Sequence, residues 1–109
     1  MREKEKIKEK AFNNFRTNGL HLNFANGNHL STIWGGGSYS ENHDNLRDVI
    51  GPTAIQSNDV EIMFDCGEKL KKRIIKKYNE GYDQPIGYLT ISQWVEIVNL
   101  LNKESKKDS

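Results

Sequence analysis

The chain has 109 residues, one cysteine and a formal net charge of +1. That length supports one core and not two. Hydrophobic content of 35% beside charged content of 28% describes a polar chain that still folds. The near-neutral total argues against a globally basic nucleic-acid binder. Cys66 alone excludes an intrachain disulfide and a multi-cysteine zinc cage.

The charged run Arg2–Lys10 and the apolar residues Ile7, Ala11, Phe12 and Phe15 together predict a helix over residues 1–18. Its charges pair at helical spacing, Gly19 closes it as a C-terminal cap, and the first six residues fray. This start is charged rather than signal-like, and no apolar run approaches a membrane span. The expected setting is the cytoplasm.

Leu20, Leu22 and Phe24 then alternate with polar or small residues, as do Leu30, Thr32 and Trp34, around Asn26-Gly27. This is the pattern of two half-buried strands joined in a hairpin. A two-residue turn pairs Phe24 with His29 and puts the apolar residues on opposite faces. A loop of Asn26-Gly27-Asn28 pairs Phe24 with Leu30, Leu22 with Thr32 and Leu20 with Trp34. The second register gathers the apolar side chains on one face and is the one expected, with Gly27 or Asn28 left-handed.

Gly35-Gly36-Gly37 follows Trp34, and no sustained period appears before Asp59. Three glycines can let a backbone approach an anion closely, or can simply form a bend at the strand end. No Lys-Ser/Thr follows them, so they do not form a phosphate-binding P-loop, and they are not GxGxxG. Glu41-Asn42-His43-Asp44 is the best-equipped tetrad chemically: Glu41 and His43 can share a proton, and His43 with Asp44 can bind a metal. Ser38, Ser40 and His43 admit a nucleophile pair. No second cluster at ligand spacing completes any of these, and exposed turn residues account for the tetrad as well. Leu46, Val49, Ile50 and Ile55 are expected to tack the long loop to the core, with Gly51-Pro52 interrupting any helix.

Asp59–Phe64 reads as the third strand, with Val60, Ile62 and Phe64 on one face and Glu61 and Met63 on the other. Glu68–Tyr78 is amphipathic at helical spacing through Leu70, Ile74, Ile75 and Tyr78, although its isoleucines and tyrosine also suit a strand. It carries six basic residues against Glu68, whereas Glu41–Asp65 carries six acidic residues against Arg47. The small net charge therefore conceals a dipolar chain. Gly81–Pro85 is a turn, and Ile86–Leu89 is either a brief fourth strand or a lead into the last helix. Thr90 and Gln93 form a capping box. Trp94, Ile97, Val98 and Leu101, with Val95, make the apolar stripe of a helix ending near Lys103.

These readings sum to an α+β fold: a small antiparallel sheet of three to four strands with N-terminal and C-terminal helices packed on it. Residues 1–103 form one domain and 104–109 a disordered C-terminal tail.

The Asn-Gly hairpin, WGGGSYSEN, VEIMF and IGYLTISQWVEIVNLL resemble a group of small bacteriophage accessory proteins. Those share an NG hairpin, a strand running into a Gly-rich SYxEN-like loop, a "VE" strand and a late GYLT-like element before a C-terminal helix. The likeness spans Leu20–Leu101 and departs at the basic segment Lys69–Lys77 and the charged N-terminal segment. It transfers no catalytic residue and no cofactor. It implies a phage-encoded, non-catalytic protein that binds a host defence factor stoichiometrically, such as a nucleic-acid-processing CRISPR effector. The expected contacts are Trp34, Gly36, Tyr39, Glu41, Asn42 and Asp44 in the loop and Lys69, Lys72, Arg73 and Lys76 in the basic segment. An exposed aromatic beside glycines makes an interface anchor, and the acidic stretch can mimic nucleic acid. The alternative is a protein that binds or sequesters nucleotides or nucleic acid, gripping phosphates with the basic segment and stacking bases on Tyr39 or Trp34. Either a monomer or a homodimer is compatible with the open sheet edges.

Overall fold

The computed structural model describes residues 10–45 and 53–106. Five strands form one antiparallel sheet in sequence order: β1 (Phe12–Asn14), β2 (Gly19–Asn23), β3 (His29–Ile33), β4 (Asp59–Asp65) and β5 (Ile86–Thr90). Among the described residues, two helices, α1 (Glu68–Asn79) and α2 (Ile91–Lys103), pack with the sheet in an α+β architecture.

The fifth strand is one that the sequence pattern conceals. Residues 1–9 lie outside the described residues, but residues 10–18 are not helical. Phe12–Asn14 pairs with Leu20–Leu22 instead, and Arg16 turns the chain with φ 67°. The apolar stripe expected there has little to bury against, since Phe12 is 76% exposed. Asparagine side chains favour local backbone partners over helix interiors. Here Asn13 and Asn23 both donate Nδ2 to the Lys10 carbonyl, at 2.7 and 2.8 Å. Gly19 opens β2 rather than capping a helix. A Cβ there would sit 2.5 Å from the Phe15 carbonyl oxygen and 2.8 Å from that of Thr32.

The hairpin loop has three residues, as expected, but they are Ala25-Asn26-Gly27. The Phe24 N–H donates to the Asn28 carbonyl (2.9 Å) and the Gly27 N–H to the Phe24 carbonyl (3.0 Å). Gly27, at φ 96°, occupies the left-handed position that this bulged turn requires. Moving the loop back one residue shifts the register by two, so Leu22 faces Leu30 and Leu20 faces Thr32. A shift of two preserves the side-chain faces, which is why Leu22, Leu30 and Thr32 are buried together.

In β5, Gly87 and Tyr88 stand opposite the single residue Glu61, because Ile62 pairs with Ile86 and Val60 with Leu89. This bulge, with Tyr88 at φ 54°, turns both Ile86 and Leu89 into the core at 0% and 2% exposure.

Both helices cover one face of the sheet. Leu70, Ile74 and Ile75 of α1 and Ile97 and Leu101 of α2 meet Leu22, Leu30, Ile62, Phe64, Ile86 and Leu89. The capping box forms: Thr90 Oγ1 accepts from the Gln93 N–H (3.3 Å), and Gln93 Oε1 accepts from the Thr90 N–H (2.9 Å). Trp94 donates Nε1 to Thr32 Oγ1 at 2.9 Å. Val95 falls outside the buried stripe and is exposed. Lys77 reaches Glu96 between the helices at 3.0 Å. Each fully buried Leu or Ile stabilises by about 1.5–3 kcal/mol, against roughly 0.2–1 kcal/mol for such an exposed ion pair. The apolar stripe therefore sets where α1 lies.

Residues 104–106 are held against the hairpin. Glu104 pairs with Arg73, the Lys106 Nζ lies 2.6 Å from Asp65 Oδ2, and the Lys106 N–H donates to the Asn26 carbonyl. The rest of the expected tail, 107–109, lies outside the described residues. So do Leu46, Val49, Ile50 and the Gly51-Pro52 pair.

Candidate functional site

The glycine segment after β3 leads into a hydrogen-bonded platform. Asn18, 3% exposed, anchors its base: its carbonyl accepts from the Trp34 N–H, its Nδ2 donates to Thr53 O, and its Oδ1 accepts from the Ile55 N–H. Trp34 donates Nε1 to the Ile55 carbonyl at 3.0 Å. Inside the turn, Ser38 Oγ donates to the Gly35 carbonyl (2.6 Å) and lies 2.8 Å from Ser40 Oγ. Both serines are 1% exposed. Asn42 Nδ2 bridges the carbonyls of Trp34 and Gln56, at 2.8 and 2.9 Å. Gly36 sits half-buried within this turn.

Three carboxylates fix the platform to the sheet. The Tyr39 N–H donates to Glu61 Oε1 (2.8 Å), the Glu41 N–H to Asp59 Oδ1 (2.7 Å), and the Asn58 N–H to Glu41 Oε2 (2.8 Å). The Tyr88 N–H of β5 donates to the Tyr39 carbonyl at 2.8 Å. Glu61 alternates with the buried Ile62, so the platform lies on the sheet face away from the helices. There the Tyr39 ring stacks on His43, with centroids 5.7 Å apart and planes 16° apart, and is 47% exposed. Tyr88 is exposed beside it, as is Asp44. Among the described residues, Glu41, Asp44, Asp59 and Glu61 carry no ion pair; those present join Arg73–Glu104, Lys77–Glu96 and Lys106–Asp65. The platform is therefore a tyrosine-bearing acidic surface.

His43 donates Nδ1 to the Ser38 carbonyl at 2.9 Å, not to a serine hydroxyl. The Ser38, Ser40 and His43 side chains thus serve the turn, and Glu41 holds the Asn58 amide. Among the described residues no group of three or more His, Cys, Asp or Glu side chains is placed to hold a metal ion.

The basic candidates lie elsewhere. Lys69, Lys72, Arg73 and Lys76 form one exposed stripe along α1, on the helix side of the sheet. Arg73 engages Glu104, while Lys69, Lys72 and Lys76 carry no ion pair among the described residues. The fold therefore unites Trp34, Gly36, Tyr39, Glu41, Asn42 and Asp44 and separates them from the basic stripe. Sequence reasoning held Asp59 and Glu61 only as members of the acidic stretch Glu41–Asp65, without their bonds to the loop, and missed Tyr88 as part of the platform. The cue was the placement of Glu61 on the polar face of a strand.

Cys66 follows the last residue of β4 and is buried in the core, 8% exposed. Burial, with a smaller contribution from the adjacent Asp65 carboxylate, pushes its thiol from the ordinary 9.0 up to about 11. The folded thiol should resist maleimide at pH 8 and react on unfolding, as followed by mass spectrometry. The unfolded thiol loses its proton at lower pH than the folded one. Conformational stability should therefore fall as pH rises from about 9 to about 11.

No helix among the described residues is long and apolar enough to cross a membrane. Comparison of the chain with protein-family models, with characterised proteins and with solved structures returned no match.

Proposed function

We propose that this chain is a phage-encoded binding protein that acts without catalysis in the host cytoplasm. It inhibits a nucleic-acid-processing host defence factor, of the CRISPR-effector kind, by stoichiometric occlusion. The observation that carries this reading is the platform of Tyr39, Glu41, Asp44, Asp59 and Glu61. Its backbone is fixed by three carboxylate–amide bonds before any partner arrives, and a pre-organised surface loses less entropy on binding. Four carboxylates without cationic partners among the described residues suit a basic target, such as the groove that grips a nucleic-acid backbone. Tyr39 and Tyr88 supply aromatic contact area beside them. The phage origin and the choice of a defence factor as target rest on the sequence resemblance to phage accessory proteins.

A second reading rests on Lys69, Lys72 and Lys76 of α1, which carry no ion pair among the described residues and would bind nucleotides or nucleic acid with steep salt dependence. One experiment separates the two. The tagged chain is expressed in a bacterium carrying an active nuclease defence system, and captured proteins are identified and quantified. The expected result is a near-stoichiometric nuclease whose binding to DNA is blocked. Its capture should weaken at least tenfold with the double change Tyr39→Ser and Asp44→Lys and persist with Lys69→Glu, Lys72→Glu and Lys76→Glu together. Copurified nucleotide, or loss of binding only in the lysine variant, overturns the first reading in favour of the second.

A further inference from the structure

The polar face of the hairpin, beside the platform, carries a cluster with its own chemistry. His21 and Ser31 are directly opposite on β2 and β3, as are Asn23 and His29. His21 Nδ1 lies 2.7 Å from Ser31 Oγ, and His29 Nδ1 is bonded to Asn23 Oδ1. The two imidazole centroids are 5.8 Å apart. Met63 is the β4 partner of Ser31, 52% exposed. His21, His29, Ser31, Met63, Phe64 and Asp65 line one hollow of about 240 Å³.

Hydrogen bonding determines what His29 can offer. Asn23 Nδ2 donates to the Lys10 carbonyl at 2.8 Å, so its Oδ1 is the atom turned to His29. An amide oxygen only accepts, so His29 Nδ1 carries the proton and, in the neutral ring, Nε2 carries the lone pair. Ser31 Oγ can accept likewise from His21 Nδ1, leaving that Nε2 as a second lone pair. Oriented imidazoles with an occupied Nδ1 are the arrangement of metal-binding histidines. An imidazole–metal bond of about 2.0–2.1 Å places two ligand rings on one ion with centroids roughly 5–6 Å apart, which includes the observed separation.

The third donor selects the ion. Met63 offers a neutral, soft thioether, while Asp65, the nearest carboxylate in the hollow, is engaged by Lys106 at 2.6 Å. Zinc favours thiolate, imidazole or carboxylate ligands. Two imidazoles and a thioether, all uncharged, suit a soft monovalent ion. We propose that His21 Nε2, His29 Nε2 and the Met63 sulfur form a copper(I) site on the open face of the sheet, with Asn23 and Ser31 as positioning residues. Binding forms three dative bonds and involves no change of oxidation state. Ser31, small and central in the row from His21 to Met63, leaves room above the sheet for the ion.

The test is anaerobic titration of the full chain with copper(I), in competition with a chromophoric bicinchoninate chelator. One equivalent should be withdrawn from the chelator. Affinity should fall at least tenfold in His21→Gln, His29→Gln and Met63→Leu, and about tenfold in Asn23→Leu through loss of the His29 tautomer. Cys66→Ser and His43→Gln should bind as the unchanged chain does. Shifts of the Met63 methyl and of both imidazole Nε2 resonances on loading report the ligands directly, and thermal melts confirm that each variant is folded. Failure to compete with the chelator, full affinity in a folded variant of any of the three ligands, or loss of binding in Cys66→Ser overturns the assignment.

Discussion

Asn28→Ala should lower the unfolding free energy by about 2 kcal/mol, and Asn28→Asp by more. Asn28 is 0% exposed, and its Nδ2 donates to the carbonyls of Leu101 (2.8 Å) and Glu104 (2.7 Å) at the end of α2. Helix C-terminal carbonyls lack intrahelical partners and need donors from elsewhere. Asn26 Nδ2 supplies a second donor to the same two oxygens, at 2.7 and 3.1 Å. That sharing limits the alanine cost, as does removal of the Asn28 Oδ1, which is buried without a hydrogen-bond partner among the described residues. Aspartate has no such relief: it replaces the donor with a carboxylate facing carbonyl oxygens at the negative end of the helix dipole. Urea denaturation of the three proteins checks the order. For a domain near this size the alanine variant should melt on the order of 10 °C lower. Equal stability of all three would mean that the hairpin does not cap the helix.

Gly87→Ala should detach the acidic platform while leaving the core assembled. A Cβ at Gly87 would lie 2.4 Å from the Tyr39 Cβ and 3.0 Å from the Tyr39 carbonyl oxygen. The platform must lift, and the bonds from Tyr88 N–H to Tyr39 O and from Tyr39 N–H to Glu61 lengthen or break. Ile86 and Leu89 face the helices, so their packing stays in place. The expected cost is about 1–3 kcal/mol of stability, in the range of overpacking changes. Amide resonance shifts should concentrate in residues 34–45, 58–61 and 86–90. If the platform is the docking surface, partner binding should weaken at least tenfold, although no surface side chain has been altered. Unchanged affinity with clear shifts in those residues would remove the platform from the interface.

Which parts of this architecture could be read beforehand follows from how local their causes are. The helix α2 was legible because Thr90, Gln93 and the spacing of Trp94, Ile97, Val98 and Leu101 all act within thirteen residues. The faces of β3 and β4 were legible from strict alternation. The N-terminal stretch misled because Ile7, Ala11, Phe12 and Phe15 match a helical stripe, while the ladder that makes Phe12–Asn14 a strand comes from Leu20–Leu22. The hairpin register missed by two because an Asn-Gly pair fits several positions within a three-residue loop. Only the demand of Asn26 and Asn28 for the α2 carbonyls, more than seventy residues away, distinguishes them.

The candidate site divides in the same way. Tyr39, Glu41, Asn42 and Asp44 are consecutive enough to be recognised as one loop. That Asp59 and Glu61 hold this loop, and that Lys69, Lys72 and Lys76 lie across the sheet from it, depends on chain crossings no window contains. By itself the sequence determined the α+β class, the amphipathic faces of α2 and β4 and the acidic loop, because periodicity and capping are short-range effects of solvent and backbone geometry; between helix and strand for Glu68–Tyr78 it did not decide. Tertiary structure decided the fifth strand, the hairpin register, the β5 bulge and the His21–His29–Met63 hollow. Each of these depends on which distant groups satisfy a buried donor, acceptor or close contact, and that is settled only when the sheet and helices pack.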